Sequence, residues 1–384
     1  MINNLHITVG QFQNASRILK QTASLLEAKV VSEVLIIALH EGSEKEVERL
    51  GDKRSVRRIR LRSRGLPKNI FFQFVKFIDY CWIVVRIARK FKTSIVNVHS
   101  VFALPLGVIV AWVCGATLVY DPHELETEAF GKSGLRKLLS KIIERSLIGK
   151  ARLTIVVGDL IEGWYRDKYK LTSIVTVMNC PLYQRPKNKD LLRKHHAISA
   201  DKKILLYQGG LWAGRGIEGL LDSFAAEDDG KHVLVLMGFG ELEKLIKQYA
   251  NKYGNIFLQP AADPTVVLQY TACADYGIAY IDNPSLNDQY CLPNKFFEYI
   301  MAGLPILVND VPEMKRIVGT ENIGIVLSDL NTISIKRGLA EIEAMDQDQL
   351  RQSLKRAAEK FCWEKQELMM LEAYKNFAIG RTVG

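Results

Sequence analysis

Apolar residues fall along the chain in short runs separated by stretches of helical spacing, which predicts strands alternating with helices. Leu5–Val9 reads as a first strand ending at Gly10, and Ser16–Ala28 as a helix turning Ile18, Leu19, Leu25 and Leu26 inward. Val34–Leu39 continues the β-α-β pattern. Ile70–Phe91 reads as a long helix with Phe71, Phe74, Val75, Ile78, Trp82, Val85 and Ala88 along one broad side. From Thr93 to Tyr120 there is no formal charge, a length that could cross a bilayer. Asn97, His99, Pro105, Gly107 and Gly115 punctuate it, so the stretch predicts strand Ile95–Val98, helix Ala103–Val113 and strand Ala116–Tyr120 of a buried parallel sheet.

The alternation resumes with a helix over Ser140–Lys150, a strand at Leu153–Val157 and another at Val175–Val177. Met178–Lys189, with two prolines among polar residues, predicts an interdomain linker. Strands follow at Lys203–Tyr207, Val233–Met237, Ile256–Leu258 and Ala274–Ala279, with a helix from Glu218. Pro293 suits a helix start, and Gly303 with Pro305 ends that helix before a short strand at Ile306–Val308. A last helix opens at Phe361, with Leu368, Leu371 and Tyr374 on one side. The expected class is α/β, doubly wound.

The chain of 384 residues has room for two cores. Six cysteines without C-x-x-C or metal-finger spacing suggest free thiols, and the first residues lack a signal-peptide pattern, so the cytoplasm is expected. The formal charge of +10 is uneven: residues 1–180 carry 28 Lys+Arg against 16 Asp+Glu, or +12, and residues 181–384 carry 24 against 26, or −2. Seven of the basic residues lie between Lys53 and Arg64, beside the aromatic-rich Ile70–Phe91 segment. One reading is a solvated basic strand beside a buried helix. The other is a surface that rests on an anionic membrane. Nucleic acid is a poorer fit and is not expected as a partner, because no recognised binding motif accompanies the charge.

The chemistry concentrates in Pro293-Asn-Lys-Phe-Phe-Glu-Tyr-Ile-Met-Ala-Gly-Leu-Pro305. Asn294, Lys295 and Glu298 occupy the first turns of the helix, where free N–H groups and the positive dipole end favour an anion. Lys295 suits phosphate, and Glu298 can accept from a pair of sugar hydroxyls. A capped helix with a solvated Lys–Glu pair has the same spacing. This run resembles the donor-binding signature of the retaining family 4 glycosyltransferases of the GT-B fold, in the subgroup written P-N-K-x-F-E-Y.

That resemblance implies two Rossmann-like domains facing a cleft: residues 1–182 on the acceptor side, a linker over 183–200, a nucleotide-sugar domain over 201–360, and a C-terminal helix over 361–384 packing back on the first domain. Val119-Tyr-Asp-Pro-His-Glu-Leu125 is similar to the family's D-x-H-E-L segment, so His123 is expected to approach the transferred sugar, with Glu124 and Glu126 orienting it, binding acceptor or capping the next helix. Gln208-Gly-Gly-Leu-Trp-Ala-Gly-Arg-Gly216 aligns with the family's glycine-rich loop. It brings in Gly209, Gly210 and Arg215, with Arg215 at the usual lysine and Gly210 where a phosphate-binding arginine usually stands. Gly238 and Gly240 flank another strand-to-turn corner expected at the donor. Tyr290 occupies a position where many members place a glutamate that touches the donor sugar. Gly10 is expected to allow close backbone approach at the reacting sugar.

The implied activity is sugar transfer from a UDP- or GDP-linked donor to a glycan acceptor, lipid-linked and reached from the cytoplasmic side, with retention and without a metal or other cofactor. Lys295, Arg215 and His123 would form the catalytic set. A catalytically silent nucleotide-binding partner subunit and a nucleotide-sugar epimerase are the competing readings.

Overall fold

The structure, a computed structural model, describes residues 1–10, 12, 15–40, 42, 44–67, 69–129, 134–186, 190–282 and 285–379. The chain divides into one unit of Met1–Val177 with Glu367–Gly384 and a second of Met178–Gln366. The expected linker over 183–200 includes a short helix at Leu191–His196, and its residues 187–189 lie outside the described residues, as do 380–384 of the C-terminal segment.

The first unit runs β1 (Asn3–Ile7), α1 (Ser16–Glu27), β2 (Glu33–Leu39), β3 (Val47–Gly51), β4 (Arg54–Ile59), α2 (Ile70–Lys90), β5 (Thr93–Val98), α3 (Leu104–Cys114), β6 (Thr117–Tyr120), α4 (Gly134–Leu147), β7 (Leu153–Val156), α5 (Asp159–Tyr169) and β8 (Ile174–Thr176). Its sheet order is β3-β4-β2-β1-β5-β6-β7-β8, parallel except for the β3–β4 pair at the edge. Strand order therefore reverses between β1 and β5, the place where doubly wound sheets open a crevice at the carboxyl ends of their strands. The uncharged stretch forms β5, α3 and β6, close to the expected bounds, and none of the helices in the described residues is long and apolar enough to cross a membrane.

Three expectations are corrected here. Helix α1 buries a polar face: Ile18 and Leu25 are buried, but so are Arg17, Gln21, Thr22 and Ser24, while Leu19 and Leu26 are only half-buried. The polar face has partners, because Arg17 and Gln21 bind Asp121 and Ser24 donates to Glu367. Helix α2 buries Tyr80, Val84 and Ala88, a stripe four residues apart, and leaves Phe71, Phe74, Ile78 and Trp82 exposed. Helix α4 starts at Gly134, ahead of Ser140, since its first turns carry exposed leucines that gave no inward-facing pattern.

The second unit runs α6 (Leu191–His196), β9 (Lys203–Gly210), α7 (Ile217–Ala226), β10 (His232–Phe239), α8 (Glu243–Lys252), β11 (Ile256–Pro260), α9 (Val267–Thr271), β12 (Tyr276–Ala279), α10 (Leu286–Gln289), α11 (Asn294–Ala302), β13 (Ile306–Val308), α12 (Pro312–Glu321), β14 (Gly324–Val326), α13 (Thr332–Ala344) and α14 (Gln347–Lys360). Its all-parallel sheet is ordered β11-β10-β9-β12-β13-β14, so the reversal falls between β9 and β12. Strands buried on both faces explain the apolar runs Ile204–Tyr207 and Val233–Met237. Helix α11 buries Phe296, Phe297, Tyr299, Ile300 and Met301, and ends at Gly303 with φ +76°. The last helix, α15 (Trp363–Ile379), belongs to the first unit from Glu367 onward. It buries Met370 and Tyr374 and exposes Leu368, contrary to the expected stripe.

Candidate functional site

In the second unit the site begins at the carboxyl end of β9, beside the strand-order reversal. Tyr207 and Gln208 end the buried part of the strand, and the Tyr207 hydroxyl donates to Gly210 O at 2.9 Å. Gly209 adopts φ +122°, a conformation that favours glycine, and a Cβ built there would sit 3.9 Å from Lys295 Cε. The glycine loop and the start of α11 are thus neighbours.

Lys295 is 8% exposed, and its Nζ is buried without a hydrogen-bond partner. The ammonium lies 3.5 Å from the centroid of the Tyr207 ring, whose π-face gives partial compensation. Burial, and then repulsion from Arg215, depress the Lys295 pKa to about 7. A buried cation with unused donors at a helix N-terminus is a receptor for an anion. Arg215, half-buried in the loop before α7, adds a second cation to the same environment.

Glu298, one turn along α11, accepts from Gln208 Nε2, and Gln208 Oε1 in turn accepts from Thr271 Oγ1 at 2.7 Å. The Gln208 backbone N–H donates to the Tyr299 hydroxyl, which donates to Leu206 O. Glu298 is therefore held by a buried polar chain, unlike a solvated member of a Lys–Glu pair. Asn294 is exposed and its Oδ1 accepts from Asn179 Nδ2 at 2.8 Å. Tyr290 is half-buried just after α10.

The other second-unit glycines have packing reasons. A Cβ on Gly238 would meet Gly209 O at 1.8 Å, and one on Gly240 would meet Leu211 O at 2.3 Å. Both let the end of β10 close on the end of β9. A Cβ on Gly210 would meet the Trp212 ring at 2.6 Å, so an arginine there could not be seated without moving that indole.

In the first unit the site lies at the carboxyl ends of β1, β5 and β6. His123 Nε2 is 3.1 Å from His99 Nδ1 and 3.7 Å from Asp121 Oδ2. His99 Nε2 is 2.9 Å from His6 Nδ1, and His6 Nε2 is 2.8 Å from Asn4 Oδ1. Burial, with repulsion from His99, holds His6 well below its ordinary pKa, and burial also lowers His99. Tautomers follow. Asn4 Nδ2 donates to Ile95 O and Asn97 Oδ1, so Asn4 Oδ1 accepts from His6 Nε2–H. Neutral His6 accepts at Nδ1 from His99 Nε2–H, and His99 Nδ1 lies 3.2 Å from Asp121 Oδ2 as well as 3.1 Å from His123 Nε2. His123 ends this row of rings. Its side chain is 39% exposed, above rings that are buried.

Asp121 anchors this cluster. Burial would raise its pKa, but Arg17 at 2.8 Å and the hydrogen bonds from His123 and His99 hold it well below the carboxylate range. His99 Nδ1, Asp121 and His123 Nε2 are also close enough together to hold a metal ion. Sequence reasoning isolated His123 and missed its neighbours; a polar His6 and His99 within or just after apolar strands was the available signal. Glu126 is buried and accepts from the Val101 backbone N–H at 3.0 Å, which caps the turn before α3. Glu124 is exposed. Gly10 is exposed, and a Cβ there meets nothing within 4 Å.

The basic run is partly consumed internally. Arg54 donates to Leu19 O, buried Arg58 pairs with Glu44 and Glu48, and Arg64 donates to His40 O.

Residues 224–362 match the protein family described as "Glucosyltransferase 3-like, C-terminal domain". That span takes in β10–β14 and α11 but leaves out β9 and the first unit. Among solved structures, sucrose-phosphate synthase from Thermosynechococcus elongatus is similar with a TM-score of 0.77 at 16% identity, covering 99% of this chain and 100% of that one. HepE from Anabaena, solved in complex with UDP-glucose, gives 0.71 at 13% identity over 98% and 100% of the chains. WaaG, a glycosyltransferase involved in lipopolysaccharide biosynthesis, gives 0.66 at 16% over 99% and 100%. No curated protein matches the sequence. The fold is the GT-B fold, and the matched residues 224–362 are similar to the C-terminal domain of glucosyltransferase 3-like proteins.

Proposed function

We propose that the chain moves a sugar from a nucleoside-diphosphate donor, UDP- or GDP-linked, to a lipid-linked glycan acceptor, with retention, as a member of the P-N-K subgroup of family 4. The observation that carries this reading is the buried, unpartnered Lys295 ammonium at the start of α11, beside Gly209. A diphosphate supplies the missing acceptors. Lys295, Arg215 and the free N–H groups of α11 stabilise the departing diphosphate, which is the main catalytic contribution. Asn294 lies in the same helix start. Glu298, held by Gln208, accepts from the ribose hydroxyls, and Tyr290 flanks the donor. His123, backed by His99, positions the donor sugar, with Gly10 permitting close approach and Glu124 binding acceptor. Gly209 serves the donor loop directly, whereas Gly210, Gly238 and Glu126 support their own surroundings.

No metal is assigned a role, because two side-chain cations already face the phosphate position. The work takes place on the cytoplasmic side of a membrane, in the assembly of a cell-surface polysaccharide or glycolipid. HepE binds UDP-glucose, which makes that donor the first to test. The deciding experiment is a screen of UDP- and GDP-sugars for binding and for slow donor hydrolysis by the purified protein. Saturable binding with release of nucleoside diphosphate is expected. Binding with neither hydrolysis nor transfer to any glycan would replace this reading with the silent partner subunit.

A further inference from the structure

We infer that α2, α3 and α4 of the first unit form one face that inserts shallowly into an anionic bilayer. The inference deepens the membrane part of the proposed function and does not rest on the transfer chemistry. In this sheet order the connections β4–α2–β5, β5–α3–β6 and β6–α4–β7 all move the same way along the sheet, so right-handed crossovers place the three helices on one side. Helix α3 packs between the other two.

Each helix shows apolar side chains to solvent. Phe71, Phe74, Ile78 and Trp82 follow one another along α2 at helical spacing, and Phe71 is 65% exposed. Helix α3 contains no charged residue at all, and its outer side presents Ile109 and Trp112, the latter 84% exposed. On α4, Leu135, Leu138, Leu139 and Ile142 lie three and four residues apart, the spacing of a core stripe, yet all four are exposed. An apolar surface continuous over three neighbouring helices is a docking surface.

The charges name the occupant. Helices α2 and α4 together carry eight Lys or Arg (Lys76, Arg86, Arg89 and Lys90; Arg136, Lys137, Lys141 and Arg145) against Asp79 and Glu144. Asp79 accepts from Ser63, and Glu144 is fully buried under three tyrosine hydroxyls, so neither offsets the outer charge. Arg86 stacks 4.5 Å from the Trp82 ring, an amphipathic pair suited to the headgroup layer. Lys137 and Lys141 pair with Glu128, and a second copy of this chain would bring the other six cations against themselves. An anionic leaflet complements them. Arg62, just ahead of α2, extends the basic rim.

The test is co-sedimentation of the full chain, without nucleotide, using phosphatidylcholine vesicles with and without phosphatidylglycerol. Wild type should pellet with the anionic vesicles at low salt and less so at high salt. Trp112→Glu with Leu138→Glu should reduce partitioning by about tenfold or more, because it places charge in the inserted face. Arg136→Ser with Arg145→Ser should reduce it on anionic vesicles alone. Unchanged melting of both variants controls for folding. Vesicle binding by Trp112→Glu/Leu138→Glu equal to wild type overturns the inference. So does a wild-type dimer in sedimentation velocity that this variant dissociates, with vesicles ignored, since that assigns the face to a second copy. Failure of donor turnover leaves the vesicle result standing.

Discussion

The Lys295 ammonium sits 3.5 Å from the centroid of the Tyr207 ring and has no hydrogen-bond acceptor. With its pKa near 7 in the empty site, it is charged at pH 6 and largely neutral at pH 8. A diphosphate selects the charged form. The dissociation constant of UDP should therefore rise above pH 7, approaching about tenfold per pH unit, with proton uptake on binding. Calorimetry in buffers of different ionisation enthalpy reads both; affinity that is flat from pH 6 to 8 would remove Lys295 from the phosphate site. Lys295→Ala should slow transfer by about 2.7–4 kcal/mol of barrier, if it resembles the loss of one oxyanion donor. The empty protein has a stability consequence too. Its folded pKa is depressed, so the unfolded chain holds a proton the folded one lacks from about pH 7 up to the ordinary lysine value. Stability from this group rises with pH across that window, and Lys295→Met should flatten the rise.

Glu298 is fixed by Gln208, and Gln208 by Thr271 and Tyr299. If Glu298 reads the ribose, Glu298→Ala should weaken UDP binding by about 1.5–3 kcal/mol, the range for a hydrogen bond to a charged group. The same variant should bind 2′-deoxy-UDP and UDP alike, whereas wild type prefers UDP. Gln208→Ala should fall between the two. A variant that keeps full discrimination would assign Glu298 to the core network only.

The alternating pattern made the two sheets legible, because parallel strands buried on both faces leave short apolar runs that solvent-exposed strands do not. The start of α11 was legible for a similar reason: Pro293, Gly303 and Pro305 mark both ends of the helix, so the placing of Lys295 follows from spacing. What spacing could not reveal was burial of polar groups by distant partners. Arg17 faces inward because Asp121, more than a hundred residues away, sits beneath it. His99 and His6 join His123 only when β1, β5 and β6 become neighbours. Helix α2 misled for the opposite reason, since an apolar stripe says nothing about whether protein covers it.

Metal dependence separates two uses of the first-unit cluster. His99, Asp121 and His123 could hold an ion, but Asp121 already carries Arg17 and Gln21. Transfer should therefore survive excess EDTA. His99→Ala should leave UDP affinity unchanged while lowering the rate, because it removes the ring that supports His123 without touching the nucleotide. Loss of activity in chelator, restored by Mg²⁺ or Mn²⁺, would turn the cluster into a metal site.

Two glycines discriminate packing from ligand approach. Gly238→Ala places a methyl group 1.8 Å from Gly209 O, a backbone atom that cannot swing aside. It should cost about 3 kcal/mol, the upper end for overpacking, and disturb the Gly209 loop with it. Gly10→Ala meets nothing within 4 Å and has no left-handed φ to relieve, so the fold should be unchanged to within about 0.5 kcal/mol. If a sugar approaches the Gly10 backbone closely, transfer should nonetheless fall while melting and UDP binding stay as in wild type. Equal melting of the two variants would contradict the packing assignment for Gly238, and full transfer by Gly10→Ala would take the first loop out of the site.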